Sequence, residues 1–197
     1  RYYPLKLKNN MTVNVSLSSR KDFRNAVIAA RGAFSGWSSR AAFNRGQILY
    51  RIAEMLEGRK DQFLEELKQL GYTPAAAKKE VEQSIDRLVY YAGWCDKYQQ
   101  LFSSVNPVAT SHFNFSVPEP MGVVAILADE SSALLGLVSV IAPAIAGGNT
   151  CIVLASESKP TCSITFAEVI ATSDVPGGVV NIVTGSRKEL HSHFSSH

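Results

Sequence analysis

The stretch from Gly122 to Glu157, GVVAILADESSALLGLVSVIAPAIAGGNTCIVLASE, limits the fold more than any other part of the chain. Gly122 to Leu127 is a short apolar run of strand type, Ser131 to Ala146 is an almost wholly apolar helical segment, and Cys151 to Leu154 is a second β-branched run. The three form one βαβ unit, whose long crossover demands parallel strands. The near-absence of polar residues in both runs predicts strands covered on both faces. In such sheets ligands bind at the carboxyl ends of the strands, here Ala128 to Ser131 and Ala155 to Glu157.

The chain has 197 residues, 46% hydrophobic and 19% charged, which is enough for one domain with a real core. Its net charge is only +3, and the basic residues are spaced among acids along helices, so nucleic acid is not an expected partner. The longest apolar stretch, Ala133 to Ala146, falls short of the roughly 20 residues a membrane span needs, and Pro143, Gly147 and Gly148 close it. The first residues carry no signal-peptide pattern. Cys95, Cys151 and Cys162 lack CxxC spacing, which indicates neither zinc nor a disulfide framework, and a cytoplasmic location is the expectation.

Along the chain, alternating runs in Arg1 to Ser16 predict an edge strand or hairpin. Ser18 or Ser19 caps a first helix with Phe23, Val27, Ala30 and Phe34 on one stripe, ended by Gly36. A second helix runs from about Arg40 to Glu57, with Gly58 at its C′ position, and a third from Asp61 to Leu70. Thr73-Pro74 opens a long helix to about Phe102, whose inward face is Val81, Ile85, Leu88 or Val89, and Ala92. Trp37, Trp94, Tyr90 and Tyr91 read as core and helix-contact residues. Thr110 to Val117 alternates as a strand with one exposed face. After the βαβ unit come a helix from Thr161 to about Thr172, a third parallel strand at Val179 to Val183, and polar, helix-compatible sequence from Gly185 on.

The motifs GVV, APAIAGGNT, a strand ending in SE, and DVPGGVVNIVTG (Asp174 to Gly185), in that order, resemble the cofactor-binding core of the NAD(P)-dependent aldehyde dehydrogenases. The flanks RKDFRNAVIAARGAF, AAFNRGQILYRIAEMLEGRK and GSRKELHSHFSSH are closest in wording to the family-sixteen branch, and within it to the degenerate second unit of its animal members. The resemblance implies an α/β fold: a partial, three-stranded, Rossmann-like parallel sheet with an N-terminal helical layer. It also implies one truncated domain over 1–197, with a helical part at about 1–105, an oligomerisation-type strand at about 110–118 and a cofactor-type core at about 119–197. That strand implies association into a homo-oligomer or with another aldehyde dehydrogenase unit or protein partner.

An aldehyde dehydrogenase needs a nucleophilic cysteine, a general base, an oxyanion donor and a bound dinucleotide. The resembled family takes the cysteine and the base from sequence beyond this stretch, and none of the three cysteines has the nucleophile's context. A helix N-terminus lowers thiol pKa, which makes Cys162 the one to test for reactivity, with an inert thiol the expectation. At the family's oxyanion Asn position stands Ser131, preceded by Asp129 and Glu130; losing one such donor costs about 2.7–4 kcal/mol in other enzymes. Two carboxylates there would repel a pyrophosphate.

Of the family's ribose-binding pair, the lysine position holds Leu154 and the glutamate position Glu157. Lys159 is expected to be solvated. Glu157, Ser156, Ala128 and Gly185 are the vestigial cofactor-binding candidates, and Arg187 and Lys188 are able to contact a phosphate. His191, His193 and His197 read as tail histidines, not metal ligands, and Ser131 and Ser132 lack the histidine and elbow glycines of a hydrolase. The expectation is a non-catalytic aldehyde-dehydrogenase-like domain acting in assembly or regulation, with no tightly bound cofactor. The alternative is the cofactor-binding portion of an NAD-dependent enzyme oxidising aldehydes to acids, its catalytic half outside this chain.

Overall fold

The computed structural model describes residues 1–196. The expected N-terminal hairpin is present: β1 (Tyr2–Lys6) pairs antiparallel with β2 (Thr12–Ser16), Tyr2 opposite Ser16. Ser19 caps α1 (Arg20–Ser38), its N–H and hydroxyl both donating to the Asp22 carboxylate at 2.7 and 2.8 Å. The helix runs past Gly36, where sequence reasoning ended it. Trp37 extends the buried stripe of Phe23, Val27 and Ala30, and its indole N–H donates to the Ile145 carbonyl at 3.0 Å. Burying so large a side chain outweighs the propensity penalty of one glycine, about 1 kcal/mol.

Helices α2 (Ala42–Gly58) and α3 (Lys60–Gln69) are joined by Arg59 alone. Gly58 is helical, not a C′ glycine. The left-handed helix end is Gly71 after α3, with φ 97° and Tyr72 N–H donating to Leu67 O at 3.0 Å. Thr73 accepts from Ala76 N–H at 3.2 Å to start α4 (Pro74–Trp94). The helix stops eight residues before the predicted Phe102, and a short α5 (Tyr98–Phe102) follows. The buried face ends at Ala92 and Cys95, while Leu101 and Phe102 are exposed, so no tertiary surface carries the longer helix onward.

The alternating strand expected over Thr110 to Val117 is also shorter. Only Phe115–Ser116 (β4) is extended and paired, antiparallel to Ser104–Val105 (β3). Asn106 ties the intervening loop through its N–H to Asn114 O at 2.8 Å and its amide to Asn114 and Ser116 side chains, and these local bonds compete with a longer ladder.

The three predicted parallel strands form one sheet in the order β5 (Val123–Leu127), β6 (Thr150–Leu154), β7 (Val180–Val183), with Leu127, Leu154 and Val183 in register. Helices α6 (Leu135–Ala146) and α7 (Thr161–Ala171) cover one face and stack on α2, α3 and α4; α1 and α8 (Arg187–Ser196) cover the other. Ile152 points to Phe23, Val27 and Ala30, while Cys151 and Val153 join the larger core on the opposite face. Only β6 is buried throughout. β5 lies at the sheet edge and leaves Ala125 exposed, so full cover of both strands, as the apolar pattern suggested, is found for one of them. No described helix is long and apolar enough to cross a membrane.

Candidate functional site

The carboxyl ends of β5, β6 and β7 come together at Ala128–Leu134, Ala155–Lys159 and Thr184–Arg187, and the predicted site residues meet there. Ala128, at the end of β5, is buried; its N–H donates to Leu154 O at 2.9 Å and its carbonyl accepts from the Arg187 guanidinium. Ser156, Glu157 and Ser158 turn the chain from β6 toward α7. Glu130 reaches across to that turn. Its carboxylate accepts from Ser156 Oγ at 2.7 Å, Glu157 N–H at 3.0 Å, and the N–H and hydroxyl of Ser158 at 3.2 and 3.1 Å. The Arg187 guanidinium lies 3.5 Å from Glu130 Oε1. Partial burial alone would raise the Glu130 pKa, but the donors from Glu157, Ser156 and Ser158 outweigh it and hold the carboxyl below the ordinary glutamate value.

Glu157 itself turns to α8, its carboxylate accepting the first helical N–H, that of Arg187, at 2.9 Å. The hairpin closes over its carbonyl, which accepts from Tyr3 Oη at 3.0 Å. Burial, then the Glu157 and Glu130 charges, push the Tyr3 phenol up to about 12, so it stays a donor. Glu80, on α4, serves α6 in the same way. One of its oxygens accepts from Ser132 Oγ at 2.9 Å and from the N–H groups of Ala133, Leu134 and Leu135 at 3.0, 2.8 and 3.3 Å. This is why α6 begins at Leu135 and not at the predicted Ser131: residues 131–134 form the cap.

The Ser131 hydroxyl donates to Asp129, as does its N–H at 3.1 Å, and the hydroxyl is the leading cause of the lowered Asp129 pKa. Lys159 is not simply solvated. Its ammonium donates to the Ser131 carbonyl at 2.6 Å and to Tyr72 Oη at 3.4 Å, and lies 5.2 Å from the Tyr72 ring centroid. Leu154 is buried in β6. Gly185, with φ 150°, lies where the N-terminal segment crosses: a Cβ there would sit 3.1 Å from Ser18 N, beside the bond from Ser18 N–H to Thr184 O.

All three cysteines are buried and free. Burial, then the Glu66 and Glu80 charges, raise the Cys162 thiol well above its ordinary value, against the low pKa that its place near the start of α7 would favour. Among the described residues no group of His, Cys, Asp and Glu is arranged to hold a metal; His191 and His193 lie on α8, and His197 is outside the described residues. Glu80, Tyr72 and Tyr3 were not singled out from sequence, because Glu80 bonds to partners 52 to 55 residues away and Tyr3 to one 154 away, with no local motif.

An open, three-stranded parallel sheet with helices on both faces defines the class: a Rossmann-like α/β protein. A model of the aldehyde dehydrogenase family matches residues 3–197. The chain is 32% identical over 188 residues to the mitochondrial 10-formyltetrahydrofolate dehydrogenase of Homo sapiens, covering 93% of this chain and 20% of that protein. It is 33% identical over 190 residues to aldehyde dehydrogenase, cytosolic 1 of Elephantulus edwardii, covering 93% and 37%.

Among solved structures, an aldehyde dehydrogenase from Burkholderia cenocepacia superposes with a TM-score of 0.94 at 27% identity, over all of this chain and 40% of that one. PnpE in complex with nicotinamide adenine dinucleotide gives 0.94 at 25% identity, over 100% and 41%. The chain belongs to the aldehyde dehydrogenase family. It spans about a fifth of the 10-formyltetrahydrofolate dehydrogenases it matches.

Proposed function

We propose that this unit is a non-catalytic aldehyde dehydrogenase domain that works in assembly, its dinucleotide crevice satisfied by its own side chains. One observation carries the reading. Three places at the strand ends that present backbone N–H donors, namely the start of α6, the turn after β6 and the start of α8, each hold an internal carboxylate: Glu80 with three N–H groups, Glu130 with two and Glu157 with one. A dinucleotide entering along the turn after β6 would have to displace Glu130 and approach Asp129 and Glu157. Leu154 gives no ribose donor, and Ser131 spends its hydroxyl on Asp129. Assembly is supported by the arm around β3 and β4, where Val105, Phe113 and Phe115 are 72%, 74% and 59% exposed and the two phenylalanine rings lie 5.4 Å apart. A cytoplasmic setting accords with the reduced cysteines.

A second reading, the cofactor-binding portion of an NAD-dependent aldehyde dehydrogenase, draws on the likeness to the NAD-bound PnpE structure and on Glu157 standing at the ribose-binding position. Titration calorimetry with NAD and with NADP separates the two. The non-catalytic reading expects dissociation constants of about 1 mM or weaker, since each lost charged hydrogen bond costs about 1.5–3 kcal/mol and each 1.4 kcal/mol is tenfold. Low-micromolar binding of either would reverse the choice.

A further inference from the structure

We propose that the cleft where α2 crosses the end of α4 is a binding site for a small aromatic carboxylate. It shares no residue with the strand ends, and the inference goes beyond the functional reading above without depending on it. Phe43, Gly46, Gln47 and Tyr50 recur on one face of α2 at i, i+3, i+4 and i+7, which sets an aromatic ring at each end of that face and a residue without a side chain between them. Gly46 lets α4 come close: a Cβ there would meet the Ala92 carbonyl at 3.0 Å. Ala92 and Gly93 on α4 are equally short. The crossing therefore leaves a cleft of about 240 Å³, floored by these residues and Cys95 and walled by Phe43 and Tyr50, whose side chains stay 67% and 47% exposed. Pockets for drug-sized ligands run from about 300 Å³ upward, so this one suits a single ring with a short substituent.

Charge decides the substituent. Lys97 folds back over Gly93, its Nζ 3.6 Å from where a Cβ at that glycine would stand, and its ammonium has no ion pair or hydrogen bond among the described residues. Arg45, next to Gly46, is a second cation and is 4% exposed. Its guanidinium donates to the carbonyls of Ala146, at 3.2 Å, and Arg40, and it forms no ion pair among the described residues. Its field reaches the cleft floor: burial pushes the Cys95 thiol up to about 11, and Arg45 is the largest influence in the opposite direction. A buried cation without a counter-ion favours an anion nearby. Asp96 is the one carboxylate lining the cleft, so two cations stand against one acid. Two rings to hold a third, and a free ammonium at their edge, fit an acid of the benzoate class.

The test titrates sodium benzoate into the 197-residue chain and follows the amide chemical shifts by NMR, with sodium chloride and with benzamide, a neutral molecule of nearly the same shape, as controls. The proposal expects saturable shifts centred on Gln47, Gly93 and Cys95 with a dissociation constant of about 1 mM or tighter. Benzamide should bind at least about fivefold more weakly, and so should benzoate to Lys97→Met, which keeps the stem and removes the charge. Phe43→Ala, at an exposed wall, should weaken benzoate by about threefold or more. Should Lys97→Met fail to fold, Lys97→Gln gives the same reading. Benzoate shifts that do not saturate, or that centre elsewhere, would overturn the site, as would equal binding of benzamide or undiminished binding by the Lys97 variants. The NAD titration addresses other residues, so its outcome and this one are read separately.

Discussion

At the scale of single residues, the carboxylates that sit on backbone donors carry the consequences. Glu80 satisfies three N–H groups and a hydroxyl at the buried start of α6. Glu80→Ala leaves them without a partner inside the fold, and the expected loss is about 2–3 kcal/mol, measurable as a lower urea midpoint with an unchanged slope. Glu130 makes a pH prediction. Its folded pKa lies below the ordinary glutamate value, so its stabilisation is complete above that value and is lost as pH falls through the folded pKa. The urea midpoint of the parent should therefore fall more steeply between pH 6 and pH 3 than that of Glu130→Gln. The comparison isolates Glu130 from Asp22 and Asp129, whose carboxyls are also held low. None of this was visible in the local sequence: Asp129-Glu130-Ser131 was read as charge facing a ligand, whereas the partners of Glu130 lie 26 to 28 residues on and bring its charge inward.

At the scale of elements, the parallel strands were legible because a buried strand and a buried helix leave continuous apolar runs. The edges were not, since β5 is as apolar in sequence as β6 yet its residues are only partly buried and Ala125 is exposed. Helix ends followed tertiary contacts more than propensity, as Trp37 and Glu80 illustrate. Gly178 marks the tightest contact between elements: it has φ 88°, and a Cβ there would lie 2.5 Å from the Ala29 carbonyl of α1. Gly178→Ala combines left-handed strain with a backbone clash, and an expected destabilisation of about 2–4 kcal/mol would appear as a lower Tm. Gly177 alongside it has open space and no positive φ, so Gly177→Ala should leave the Tm nearly unchanged.

At the scale of the whole molecule, four layers succeed one another: α1 with α8, the sheet, α6 with α7, and the α2–α4 stack. Family membership was legible because the glycine turns and the α6 helix kept their order, while the bonds of Glu80, Glu130 and Glu157 join segments far apart in the chain. The β3–β4 arm stands outside these layers with its aromatic rings uncovered. If it joins subunits, the double change Phe113→Ser with Phe115→Ser should shift light-scattering mass toward the monomer without lowering the Tm. A parent that is already monomeric at high concentration would count against association through the arm.

The N-terminal hairpin has a consequence in time. A two-stranded hairpin alone is marginal in water. This one is secured from afar, by Tyr3 on the Glu157 carbonyl 154 residues on and by Thr184 on the Ser16 carbonyl 168 residues back. In synthesis at about 5–20 residues per second, roughly 8–30 s pass between the emergence of Tyr3 and that of its partner. The hairpin, made before these partners, is thus fully seated only after they emerge, and until then it is open to proteases and chaperones. Nascent chains arrested before Glu157 has emerged should lose the hairpin to limited proteolysis, and chains released past Thr184 should keep it.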